Sequence, residues 1–183
     1  MDKPTFKNRG NEEVELKDGR KVWLSRSPAV VAVILAVEES TDRIFVLTEK
    51  RSAIMDEPNK WAVVSGYMDW DETGMEAIVR ETYEETSFYI PKFENQLRFD
   101  NDGDPFYVHT DPKTDAKQNV SLSYIFIYQF DNIPRYVEQF KDKEISEVKW
   151  MEISEVFQGG KQWAFNHDER IEMAVEKFQG DLI

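Results

Sequence analysis

The segment "RETYEETSF", residues 80–88, sets Glu81, Glu84 and Glu85 within one and a half helical turns beside a single cation, Arg80. With Glu81 at zero and about 100° per residue, Glu85 falls near +40° and Glu84 near −60°, so the three carboxylates share an arc of about 100°. Like charges at these spacings cost an isolated helix about 0.2–0.5 kcal/mol per pair, and more where the face is partly buried. A divalent cation would turn that repulsion into binding, and hard oxygen ligands without histidine or cysteine suit Mg²⁺ or Mn²⁺. The plainer reading is a solvated acidic face, with Arg80 laddered to Glu76 and Glu84, each four residues away.

The elements that would carry this ridge are legible around it. Thr73-x-x-Glu76 has the form of a capping box, and Met75, Ile78, Val79 and Thr82 recur at helical spacing, which predicts a helix from Thr73 to about Thr86 with Pro91 forbidding continuation. Upstream, "VELKDGRKVWL" (Val14 to Leu24) predicts a hairpin turning tightly at Asp18-Gly19. "AVVAVILAV" reads as a strand buried on both faces and pairs with "RIFVLTEKR" across Glu38 to Asp42; "WAVVSG" (Trp61 to Gly66) is a short strand stopped by glycine. Beyond the helix, 91–119 is mostly polar, "FYVHT", "NVSLSYIFIYQF" and "EVKWMEI" favour strands, and "DERIEMAVEKFQG" is an amphipathic helix with Ile171, Ala174, Val175 and Phe178 inward. The expected fold is α/β (α+β), a mixed sheet with helices outside it, in a single domain over 1–183: an N-terminal hairpin extension, 1–26, and a core, 27–183.

Composition narrows the partners. A formal net charge of −13 disfavours nucleic acid and anionic membrane, though a small anion can still bind where a metal reverses the local field. The chain has no cysteine, so disulfides, zinc–thiolate sites and thiol nucleophiles are excluded. That fits a reducing compartment, and the amino terminus lacks an apolar run of signal type, so the expected location is the cytoplasm. Ala29 to Val37 falls far short of the roughly 20 residues of a membrane span. Asp100-x-Asp102-x-Asp104 has its glycine too early for a calcium loop and reads as a turn; His109 and His167 read as structural or surface residues.

Written from its glycine, the acidic segment runs Gly66, five residues, Glu72, seven residues, then Arg80, Glu81, Thr82, Tyr83, Glu84, Glu85, Thr86, Ser87, Phe88. This resembles the Nudix box, G-x5-E-x7-R-E-U-x-E-E-x-G-U with U a bulky apolar residue, and keeps six of its seven fixed letters in register. Ser87 stands where the box has its second glycine, Thr82 where a larger apolar residue is usual, and Val64 and Ser65 where many members carry proline and glycine. The resemblance implies the Nudix fold, a mixed sheet between helices, from about Ser27 to the end.

It also implies a hydrolase of the diphosphate bond in a nucleoside diphosphate linked to another moiety, of ADP-ribose or nucleotide-sugar type first, using Mg²⁺ or Mn²⁺. Glu81, Glu84 and Glu85 are then the expected metal ligands, joined by the Gly66 carbonyl, with Arg80 orienting a glutamate and Glu72 in support. The family's base varies between a box glutamate and a later loop acid, here Glu144 with Glu147 as fallback. Arg51 is a candidate phosphate contact and Trp70 a candidate base-stacking residue, each weighed against ordinary surface or packing roles. The leading hairpin resembles the N-terminal strands of ADP-ribose pyrophosphatases, which often exchange them across a homodimer. The alternative is a non-catalytic Nudix-fold nucleotide sensor or interaction module, members of which have usually lost box glutamates. The isopentenyl diphosphate isomerase branch needs a cysteine that this chain lacks, and an RNA decapping role would want a basic surface.

Overall fold

In a computed structural model, residues 12–24, 26–111, 119–134 and 144–182 of the protein are described. Residues 1–11 of the amino-terminal segment read for signal character, and residues 112–118 of the polar stretch, lie outside them.

Strands β1 (Glu12–Glu15) and β2 (Lys21–Leu24) form the predicted hairpin as a separate two-stranded antiparallel sheet. Its turn is wider than a two-residue loop: Glu15 pairs with Lys21, the Leu16 amide donates to the Arg20 carbonyl, and Gly19 takes a φ of +82°. That left-handed conformation is one glycine adopts without strain.

The main sheet is built from β3 (Ser27–Glu38), β4 (Arg43–Arg51), β5 (Trp61–Ala62), β6 (Val64–Tyr67), β7 (Leu97–Phe99), β8 (Tyr107–His109), β9 (Asn119–Phe130) and β10 (Ile145–Glu152). Its order is β10-β4-β3-β9-β7, with β5 on β4, β6 on β3 and β8 on β9. β3 and β9 run parallel over their whole length and the other pairs are antiparallel, so the sheet is mixed, as expected.

"WAVVSG" is not one strand. β3 and β4 pair only across Leu35 to Glu38 and then part; residues 61–67 fill the opening, β5 pairing with the end of β4 and β6 with the start of β3. The break falls at Val63, and the opening is where the acidic site forms.

Helices α1 (Gly74–Thr86), α2 (Ile153–Phe157) and α3 (His167–Lys177) complete the fold. β3 alternates between two cores: Val30, Ala32 and Ile34 pack with Ile78 and Phe88 on the α1 side, while Val31, Val33 and Leu35 pack with Ile171 and Ala174 on the α3 side. Each such side chain contributes about 1.5–3 kcal/mol on burial, which fixes both helices against the sheet. No helix among the described residues is long and apolar enough to cross a membrane.

α1 begins as its sequence dictates. The Thr73 hydroxyl accepts from the Glu76 amide (3.2 Å), while the Glu76 carboxylate accepts from the Thr73 amide (2.8 Å). It ends with Ser87 in the left-handed conformation (φ 60°, ψ 8°) that the box glycine would take, the Ser87 amide donating to Tyr83 O. The helix end therefore keeps its shape, at a backbone cost of about 1–2 kcal/mol.

Candidate functional site

Arg80 organises one side of the site. Its Nε and Nη2 donate to Glu72 Oε2 (3.1 Å) and Oε1 (2.7 Å), Nη1 donates to Glu81 Oε1 (2.8 Å) and more weakly to Glu84 Oε2 (3.4 Å), and Nη2 also reaches Tyr67 O (3.0 Å). The bidentate grip ties the 67–72 loop to α1. The expected ladder to Glu76 does not form, because that carboxylate is committed to the capping box. Glu72 also accepts from the Asp69 amide (2.6 Å), and the Arg80 hydrogen bond holds its carboxyl below the usual carboxylate range.

The ridge read as one acidic face is divided among three surroundings. Glu84 points outward, its side chain half exposed. Glu81 lies against Gly66: a methyl group built on that glycine would sit 2.1 Å from Glu81 Oε1, so the Glu81 carboxyl keeps this position only beside glycine. Desolvation raises the Glu81 pKa, and the Arg80 hydrogen bond opposes it. Glu85 turns beneath the sheet, with the Ser65 amide approaching its carboxylate, and burial followed by the neighbouring Glu49 holds its pKa well above the usual value.

Glu49 is the group that sequence reasoning missed. Alternation along β4 puts Leu47 in the core beneath α1, so Glu49, two residues on, shares that face. It is fully buried, raised in pKa chiefly by desolvation, with Glu85 beside it and the charges of Arg51, Glu81 and Glu144 acting on it. Glu49 Oε1 and Oε2 and Glu85 Oε2 are buried and reached by no donor, the two carboxyls meeting one another instead.

Among the described residues no three carboxylate or imidazole groups converge as a ready metal-ligand set, since Arg80 holds Glu81 while Glu84 faces solvent. The donor chemistry nevertheless suits a hard divalent cation. Orphaned carboxylate oxygens are buried beside a second carboxylate, and the Gly66 cradle admits Glu81 to the same opening.

The remaining candidates lie around this centre. Glu144 is exposed, its carbonyl accepting from the Ser52 amide (2.7 Å) at the head of β10. Glu147 is exposed opposite Lys50 on β4. Arg51 is nearly buried, its Nε donating to Asp56 O (2.7 Å) and its guanidinium lying over Phe165 (4.9 Å), so a phosphate contact there requires releasing these partners. Trp70 is 91% exposed in the box loop, its indole face open. His167 is buried and accepts at Nδ1 from the Val63 amide (3.3 Å), a structural role as read; His109 lies at the end of β8 near the Tyr107 hydroxyl (3.4 Å).

The fold is similar to several solved structures. A MutT/nudix family protein from Enterococcus faecalis superposes with a TM-score of 0.67 at 20% identity, over 85% of this chain and 63% of that one. A bifunctional NMN adenylyltransferase/ADP ribose pyrophosphatase from Francisella tularensis, complexed with AMP and a manganese ion, gives 0.63 at 19% identity over 83% and 42%. The NUDIX domain of Shewanella oneidensis NrtR, complexed with ADP ribose, gives 0.61 at 20% identity over 84% and 88%. The chain thus spans less than two thirds of the first two. No curated protein matches it in sequence. The NUDIX domain family model matches residues 26–172, from the start of the main sheet into α3, and the chain belongs to that family.

Proposed function

We propose that the protein is a Mg²⁺- or Mn²⁺-dependent hydrolase of the diphosphate bond in a nucleoside diphosphate linked to another moiety, with ADP-ribose and nucleotide sugars as the first substrates to try. The observation that carries this reading is the buried carboxylate pair beneath α1 with three oxygens lacking any donor. Glu85, Glu81, Glu84 and the Gly66 carbonyl would hold the cation. When bound, it neutralises diphosphate charge and makes water nucleophilic at neutral pH.

The chain's own groups then do the positioning. Arg80 fixes the Glu81 carboxylate through Nη1 and holds the 67–72 loop through Glu72, so the entrance and helix face keep one geometry. Glu144, exposed at the head of β10, would accept a proton, and a box glutamate is the other candidate. Trp70 offers an exposed aromatic face for a base. Support for the substrate class comes from the AMP and ADP ribose held by two similar structures, together with the N-terminal hairpin. A homodimer formed through that hairpin, and a cytoplasmic location, belong to the same reading.

The test is nucleotide or phosphate release from a panel of diphosphate compounds with and without Mg²⁺, comparing native protein with Glu84→Gln and Glu85→Gln. Metal-dependent turnover lost in both variants is expected. The second reading, a nucleotide-binding module that does not cleave, is favoured by the hold of Arg80 on Glu81 and the lack of a converged ligand triad among the described residues. Tight nucleotide binding without metal-dependent turnover on any diphosphate would select it.

A further inference from the structure

We propose that Glu49, on β4 and outside the acidic helix motif, is an additional ligand of the divalent cation, gripping it from the sheet while Glu85 and Glu81 grip it from α1. The proposal rests on the hydrolase reading and adds a residue to its metal site.

Three observations carry it. The first is direction: Leu47 belongs to the core beneath α1, and the period-two alternation of a strand sends Glu49 to the same face, where it meets Glu85. The second is isolation. Glu49 is fully buried, yet no donor from another residue reaches either oxygen; what it meets is the Glu85 carboxyl, whose Oε2 is likewise without a donor. Its cross-strand partners are Ala62 and Val148, whose side chains carry no donor. The third is the state of the nearby cation. Arg51 acts on Glu49 through its charge, but its guanidinium is engaged by Asp56 O and Phe165.

Buried carboxylates without a partner are among the most expensive side chains a core can hold. The cross-strand neighbours of Glu49, Ala62 and Val148, are apolar, and an apolar residue would have packed beside them at no such cost. A hard divalent cation supplies what the protein withholds, since it binds bare carboxylate oxygens and tolerates several of them at once. The segment 61–67 that fills the opening between β3 and β4 carries both Ala62, which pairs with Glu49, and the Gly66 cradle of Glu81, and the charge of Glu81 acts on Glu49. Glu144, whose charge also acts on Glu49, lies at the rim and is not part of the ligand proposal.

The test is Mn²⁺ affinity, measured by electron paramagnetic resonance titration without substrate, on native protein, Glu49→Gln, Glu85→Gln and the exposed α3 control Glu176→Gln. Metal-free and metal-saturated melting temperatures are recorded alongside. Glu49→Gln is expected to weaken Mn²⁺ binding by about tenfold or more, to shrink the metal-induced rise in melting temperature, and to leave the metal-free fold intact; Glu176→Gln should match native. Native-like Mn²⁺ affinity in Glu49→Gln, with binding lost in Glu85→Gln, would overturn this inference while sparing the hydrolase reading, leaving Glu49 as a proton-sharing neighbour. No Mn²⁺ uptake by the native protein would overturn both. If Glu49→Gln does not fold, Glu49→Asp, whose carboxylate is withdrawn by one methylene, carries the test: weakened Mn²⁺ binding is expected and native affinity would refute the assignment.

Discussion

The two faces of the main sheet each bury titratable groups, and they treat them in opposite ways. On the α3 side, His167 is enclosed at the helix start and accepts a hydrogen bond from the Val63 amide, at the break between β5 and β6 where no strand partner serves that group. Burial, with Arg170 and Arg51 nearby, pushes its pKa down to about 3, so the neutral ring is what the fold uses. On the α1 side, Glu49 and Glu85 face one another with three oxygens unserved. A buried polar group that completes a backbone hydrogen bond is structural; one that repels its neighbour and completes nothing is built for something that arrives later.

The sharpest way to break this contrast is kinetic. Glu85→Gln should lower metal-dependent kcat by about a thousandfold, equivalent to about 4 kcal/mol of transition-state stabilisation, whereas His167→Phe should leave kcat per folded molecule unchanged. Steady-state rates on the best diphosphate substrate, normalised to folded protein, decide it.

Stability should give the mirror image. His167→Phe orphans the Val63 amide and should destabilise the protein by about 1–3 kcal/mol, while Glu85→Gln in chelator, at a pH high enough to ionise both carboxyls, should raise stability by about 1 kcal/mol by removing a buried repulsion. Denaturant melts of the metal-free proteins measure both. If Glu85→Gln instead loses several kcal/mol, the carboxylate is structural and the contrast collapses.

The pH dependence of metal-free stability has a sign on each side. The folded-state pKa values of Glu49 and Glu85 are raised from 4.5, so above that pH the folded chain holds protons that the unfolded chain has released, and stability falls as pH rises through the folded values. His167 is lowered from 6.5 to about 3, so its contribution rises across that window and is complete above pH 6.5. Above pH 6.5, thermal melts in chelator should therefore decline with pH. Glu85→Gln should flatten the decline, since one of the two buried carboxyls that release protons there is removed, while burial keeps Glu49 raised.

The smallest expected effect lies at the end of the helix that presents the site. Ser87 holds a left-handed conformation with its hydroxyl buried and without a partner. Ser87→Gly should stabilise the protein by about 1 kcal/mol with kcat unchanged.

Much of the α1 side was readable in advance because its signals are local. The capping box, the helix from Gly74 to Thr86 and the pairing of β3 with β4 follow from spacing and turn chemistry. The Gly66, Glu72, Arg80, Glu81 and Glu84, Glu85 register led to the family. What stayed hidden depends on tertiary placement. Glu49 sits in "RIFVLTEKR", where a charge near a strand end reads as solvent-facing; only the packing of α1 over β4 buries it. Arg51 is hidden by other contacts that the sequence does not show, with Asp56 O and Phe165, and the split of "WAVVSG" follows from the parting of β3 and β4 and from no residue within the segment. Arc arithmetic on an isolated helix also merged Glu81, Glu84 and Glu85 into one face, because it cannot see that Arg80, solvent and Glu49 divide them.

The most direct measurement is an anomalous diffraction map of the crystallised protein soaked in millimolar Mn²⁺. The account predicts a manganese peak about 2.1 Å, the octahedral distance of a small hard cation, from oxygens of Glu85 and at least one of Glu81 and Glu84. Well-ordered carboxylates with no peak among them would contradict it.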